Sequence, residues 1–189
     1  LAGAGRVEQR AEHVDVLAVA ATSTQLHYCD SMAAESAAVL NHGDLVPEWY
    51  QDGRRQQFDS TGQPSGAMAY AADAARVFEG VRRACVYNLE DRATEDLVRN
   101  AEVVEGARAI GFTLGMPSVG NLGIVEDLLV DRAFIEERAT SAAELCTIAD
   151  LGSSAPDFVA NALAAAALAR AHGVSQQAVR DGLRSFSAG

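Results

Sequence analysis

His42, Asp44 and Glu48 stand within seven residues of one another in the stretch NHGDLVPE, directly after an apolar run, Ala37 to Leu40, that reads as a buried strand. An imidazole and two carboxylates just past a strand end are what an α/β protein uses to hold a metal ion or a general base. One histidine and two acids around Gly43 and Pro47 match no stringent zinc or calcium ligand spacing, so the residues alone read as a solvated acidic turn. A second cluster, His27, Cys29 and Asp30, could support thiol or metal chemistry. With no further ligand group nearby, a partly buried histidine and an inert cysteine are expected there. A third stretch, Thr22-Ser23-Thr24-Gln25, puts four polar side chains after an apolar run, at the edge where parallel sheets bind ligands. Ligand-facing and plain-loop readings are equally open for it.

The elements that must position these groups alternate in type. Val14 to Val19 (VDVLAV), AAVLN and Ala84 to Asn88 (ACVYN) are short, β-branched and apolar, as strands covered on both faces of a parallel sheet would be. Between the last two, Ser65 can cap a helix in which Met68, Ala71, Ala75 and Phe78 recur at helical spacing, so strand, helix, strand predicts a right-handed parallel crossover. Asp91 opens a second short helix, and ARAIGFTLG reads as another strand. NLGIVEDLLVDRAFI and AAELCTI have no helical pattern between them, which predicts local antiparallel pairing. The end is helical: Pro156 and Asp157 mark an entry and Gly173 the C′ position. Ser175 is the N-cap of a last helix, with Val174 and Val179 spaced as a hydrophobic staple. The fold class is thus α/β, a mostly parallel sheet with flanking helices and a small antiparallel sheet, in one domain over 1–189. The polar, glycine-rich segment 51–66 reads as a flexible surface loop.

Composition narrows the functions. Fifteen basic against 26 acidic residues give a net charge of −11, and no basic stripe interleaved with aromatics exists, so neither nucleic acid nor an anionic membrane surface is an expected partner. There is no phosphate-loop motif, the glycines of LAGAGR lack a lysine and a preceding strand, and the chain contains no lysine at all. The longest apolar run, Ala162 to Ala169, is too short to span a bilayer. Cys29, Cys85 and Cys146 are far apart in a chain without a signal peptide, which suggests a cytoplasmic protein without disulfides. The sequence begins LAGAG without methionine, so residue 1 is not expected to be a translation start.

DVLAVAATSTQLHY, AAVLN, YAADAARVFEG, ACVYNLED, GIVEDLLVDRAF and FVANALAAAALARAHGVSQQAVRDGLRSF occur here in that order. Together they resemble the central domain of the Mur ligases, most closely those that add D-glutamate, over roughly Asp15 to Gly189. The resemblance implies an ATPase-like α/β unit of peptidoglycan-precursor synthesis. Such a unit forms an acyl phosphate with ATP and magnesium, and then an amide. It also implies substrate contacts at Thr22, Ser23 and Gln25 and nucleotide contacts at Asn88, Asp91 and Asn161.

At the chemical positions this sequence departs from the family. The phosphate loop would lie upstream of anything present. Ala20 takes the place of a magnesium-binding glutamate, and Val46 that of a magnesium-binding histidine in a pattern otherwise represented by Asn41, Asp44 and Glu48. Between the retained Tyr70 and Arg76, Ala74 replaces a carbamylated lysine, and Asp157-Phe158 replaces His-Asn ahead of Asn161. Losing one preorganised charge stabiliser costs on the order of 10²–10³ in rate, and phosphoryl transfer rests almost wholly on such groups. The expectation is therefore a scaffold or binding module inactive by itself, with no catalytic residue, metal or cofactor. Two alternatives stand beside it: a fragment of an active ligase completed by missing domains, which would use ATP and magnesium, and an engineered or diverged self-assembling homo-oligomer.

Overall fold

The computed structural model describes residues 15–29, 32–43, 46–51, 57–58, 62 and 64–186. Helix α1 (Ser23–His27) precedes strand β1 (Ser36–Val39), helix α2 (Glu48–Gln51), the short strands β2 (Gln57–Phe58) and β3 (Pro64–Ser65), and helix α3 (Gly66–Ala75), which tightens into a 3₁₀ turn at Arg76–Phe78. Next come β4 (Ala84–Asn88), α4 (Arg92–Arg99), β5 (Arg108–Phe112), β6 (Leu122–Val125), β7 (Leu128–Asp131) and β8 (Ala143–Thr147). A 3₁₀ turn at Ile148–Asp150 then leads to α5 (Pro156–His172) and α6 (Gln176–Ser185).

One six-stranded sheet runs β1-β4-β5-β6-β7-β8. The pairings are parallel from β1 to β6 and antiparallel from β6 to β8. The α/β class and the parallel-plus-antiparallel pattern therefore hold, with the antiparallel strands continuing the same sheet. Helices cover both faces. Along β4, Ala84 and Val86 point to a core shared with Ile110, Phe112 and Leu163 of α5. Cys85 between them points to the opposite core with Ala74, Phe78 and Leu97. An uninterrupted apolar strand is what this two-sided burial requires.

Local signals set most element ends. Ser65, Asp91 and Ser175 are N-caps whose side chains accept from the Met68, Ala93 and Ala178 amides. Gly173 ends α5 at φ 101°, a left-handed conformation with no Cβ penalty for glycine. Gly66 is needed for space, since a Cβ there would strike the Tyr50 carbonyl oxygen. Glu126 at φ 58° turns the hairpin between β6 and β7.

Several expectations fail. Val14 lies outside the described residues, and Asp15 to Ala21 form no strand; Val16, Leu17 and Val19 are 55%, 49% and 55% exposed. A strand needs a neighbour, and among the described residues β1 is paired only with β4. Met68 faces solvent, while Ala69, Asp73 and Ala74 make the buried side of α3. Thr22 to Gln25 is no loop but the start of α1. Cys29 is only half-buried, although all three cysteines are free thiols and burial pushes Cys85 up to about 11. The expected loop 51–66 lies largely outside the described residues.

Candidate functional site

The carboxyl ends of β1 and β4 are joined by side chains that the sequence singles out. Asp91 caps α4 through the Ala93 amide and also accepts from the backbone amides of His42 (2.7 Å) and Gly43 (3.4 Å). Its partial burial works against ionisation, but these three hydrogen bonds prevail and hold the carboxyl below its ordinary value. The Asn88 amide donates to the Leu40 carbonyl at 3.1 Å and accepts from the Glu90 amide at 2.9 Å. Thr94 ties the same turn by donating its hydroxyl proton toward the Asn88 and Asp91 carbonyls. Asn88 and Asp91 are thus next to each other, and both are already committed to shaping the loops after their strands.

His42 is not solvated, as the sequence suggests, but half-buried. Its ring stacks on Tyr70 at 4.1 Å and 12°, and Tyr70 donates its hydroxyl to the His42 carbonyl at 2.9 Å. Burial lowers the imidazole pKa against the opposing charge of Asp91. Its Nδ1 is buried without a hydrogen-bond partner among the described residues. Glu48 is exposed on α2, and Asp44 lies outside the described residues, so the three groups of the acidic loop are not brought together as a site.

Thr22 and Gln25 cap one another. The Gln25 amide donates to Thr22 Oγ1 at 3.3 Å, and the Thr22 amide donates to Gln25 Oε1 at 2.8 Å. This capping box was legible as Thr-x-x-Gln. Ser23, the third residue expected to meet substrate, has its side chain beside Tyr50, which is fully buried on α2 and pushed up to about 12, chiefly by burial. Tyr50 donates to Asp73 Oδ2 at 3.0 Å, and His27 Nδ1 reaches the same oxygen at 2.8 Å. Asp30, the third member of the His27 cluster, lies outside the described residues. The His27–Asp73 pair escaped sequence reading because its partners are 46 positions apart.

Asn161 stands apart from these groups. It lines an apolar cleft of about 550 Å³ between α5 and α6, together with Leu151, Phe158, Ala165, Leu183 and Phe186. Because α5 ends beside Glu35 and Arg83, at the amino ends of β1 and β4, its first turns and Asn161 lie toward the carboxyl ends. Ala74, at the position where the resemblance requires a lysine, is packed with Ala37, Phe78 and Cys85. Val46 has Cγ1 beside Gly66, and Ala20 is exposed. Among the described residues no three His, Cys, Asp or Glu side chains gather to hold a metal ion, and no helix is long and apolar enough to cross a membrane.

No protein-family profile matches the chain. Curated relatives do. The UDP-N-acetylmuramoylalanine--D-glutamate ligase of Streptomyces coelicolor is 54% identical over 177 residues, which are 93% of this chain and 34% of that protein. The chain matches a segment of the Mur ligases. Proteins of the same name from Leifsonia xyli subsp. xyli and Mycolicibacterium smegmatis are 44% and 37% identical over 91% and 93% of this chain, and 32% and 31% of their own lengths. The chain spans about a third of the length of the curated relatives it matches, and its six-stranded α/β sheet is the fold the resemblance implies.

Proposed function

We propose that this chain is a Mur-ligase-like scaffold or binding module that has kept the ligand-facing frame at the carboxyl end of its sheet but not the means of phosphoryl transfer. The observation that carries this reading is the burial of Ala74. A methyl group embedded among Ala37, Phe78 and Cys85 stands where the family would hold a carbamylated lysine. The residues present do not fit magnesium. Ala74 and Val46 offer no donor atom, and the Asp91 carboxylate is already engaged by three backbone amides. Asn161 in its cleft is the family-like position best placed to meet a ligand, with Thr22, Ser23 and Gln25 as weaker candidates and Asn88 and Asp91 as shaping residues.

Thermal unfolding with and without millimolar Mg-ATP tests the reading. A ligand at about a hundred times its Kd adds about 2.7 kcal/mol to folding stability. An unchanged Tm and no phosphate release are expected, and a rise of several degrees that requires magnesium would overturn the proposal.

The relatives' greater length favours a second reading, in which the segment belongs to a longer, cytoplasmic ATP-dependent ligase whose other domains supply the missing groups. Adding back the flanking polypeptide of a relative should then restore phosphate release with a muramoyl-alanine precursor. Continued inactivity with all substrates saturating would reject it.

A further inference from the structure

The cluster around His27 has the organisation of a reactive site rather than of a surface contact. Asp73 is 5% exposed and receives His27 Nδ1 at 2.8 Å and the Tyr50 hydroxyl at 3.0 Å on one oxygen, with Arg76 Nε 3.4 Å from the other. Because the carboxylate accepts, the proton of a neutral His27 sits on Nδ1 and its lone pair on Nε2, the tautomer a nucleophile or base requires. The His27 side chain is 39% exposed, and among the described residues its ring hydrogen-bonds through Nδ1 and not through Nε2. Tyr28 and Trp49 stand edge-on to the ring, each with its centroid 5.0 Å away, and Tyr28 is itself 73% exposed. An oriented imidazole beside aromatic walls suits a planar, uncharged reactant. The net charge of −11 disfavours an anionic one.

We propose that His27, backed by Asp73 and walled by Tyr28 and Trp49, is a nucleophilic site for acyl transfer from neutral, activated aryl esters. The Nε2 lone pair forms a bond to the ester carbonyl carbon, the carbon–oxygen bond to the aryl group breaks, and the aryl oxide leaves with that electron pair. Water oxygen then bonds to the acyl carbon as the Nε2–acyl bond breaks; one water proton stays on the carboxylic acid, the other is released to solvent to balance the aryl oxide, and Nε2 regains its lone pair. His27 is the catalytic residue, and Asp73 is a positioning residue that holds the tautomer through Nδ1.

A second carboxylate-backed histidine serves as internal control. His172 Nδ1 lies 2.7 Å from Glu35 Oε2, but Glu35 is 31% exposed, and no aromatic ring stands beside His172 among the described residues. Hydrolysis of p-nitrophenyl acetate by the full chain is the test. H27Q should lower kcat/KM by about tenfold or more and H172Q by less than about twofold. D73N should lower kcat at constant KM, with partial recovery in D73E. Y28A, altered at an exposed position, should raise KM at constant kcat, which keeps the proposal testable if D73N does not fold. Equal losses in H27Q and H172Q would overturn it.

Discussion

Asp91 joins two elements at the sheet's carboxyl end, since one carboxylate caps α4 and ties the loop after β1. Asp91→Ala should cost about 2 kcal/mol, the upper end for a lost cap, because two further backbone amides, of His42 and Gly43, lose their acceptor. Urea unfolding measures this, and the m-value should be unchanged. His42 adds a pH dependence with a definite sign. Its folded pKa lies below the ordinary 6.5, so the native state binds fewer protons than the unfolded chain. The contribution of neutral His42 is complete above about pH 6.5 and is lost as pH falls toward the lowered value. In H42Q the decline in stability as pH falls below about 6.5 should flatten, as read from unfolding midpoints across that range.

At the scale of elements, α5 is the member most others depend on. Leu163 is fully buried against β4 and β5, and Leu163→Ala should cost about 2–5 kcal/mol, with calorimetry showing a matching fall in Tm. Further along α5, Arg170 Nε reaches the wholly buried Asp131 of β7 at 2.9 Å, and Asp131 Oδ1 accepts the Ala133 and Phe134 amides. Arg170→Met should therefore cost about 3–5 kcal/mol, because it strands a buried carboxylate. A double change with D131N should recover part of that loss in a mutant cycle. How much of this was legible depended on range. The caps at Ser65, Asp91 and Ser175 and the stop at Gly173 are local and stand where the sequence puts them. The strand expected at Val14 to Val19 was not decidable locally, because a strand exists only beside a partner, and periodicity carries no information about partners. For the same reason Asp73, buried and polar in mid-helix, revealed nothing until α1 was seen to pack on α3.

For the molecule as a whole, Val16, Leu17 and Val19 place three exposed aliphatic side chains within four residues. Should the chain form homo-oligomers, V16E/V19E should shift its sedimentation toward monomer, and an unchanged profile would place any interface elsewhere. The sheet itself carries a different consequence. β5 and β6 share a single in-register pair, Phe112 with Leu122, and the Gly111 amide donates not to a strand but to the Asn121 side chain at 2.8 Å. The three antiparallel strands are therefore joined to the parallel half by a short backbone run, the Thr113 and Ile124 amides donating to the Leu122 and Gly115 carbonyls, by the Asn121 side chain, and by Arg108 donating to the Ala133 carbonyl, while Arg170 of α5 holds Asp131 of β7. Hydrogen exchange should reveal this seam as a boundary between two opening units. The β7 and β8 amides should exchange together, ahead of β4, and in N121A the protection of Gly111 should fall while that of Val86 stays as it was.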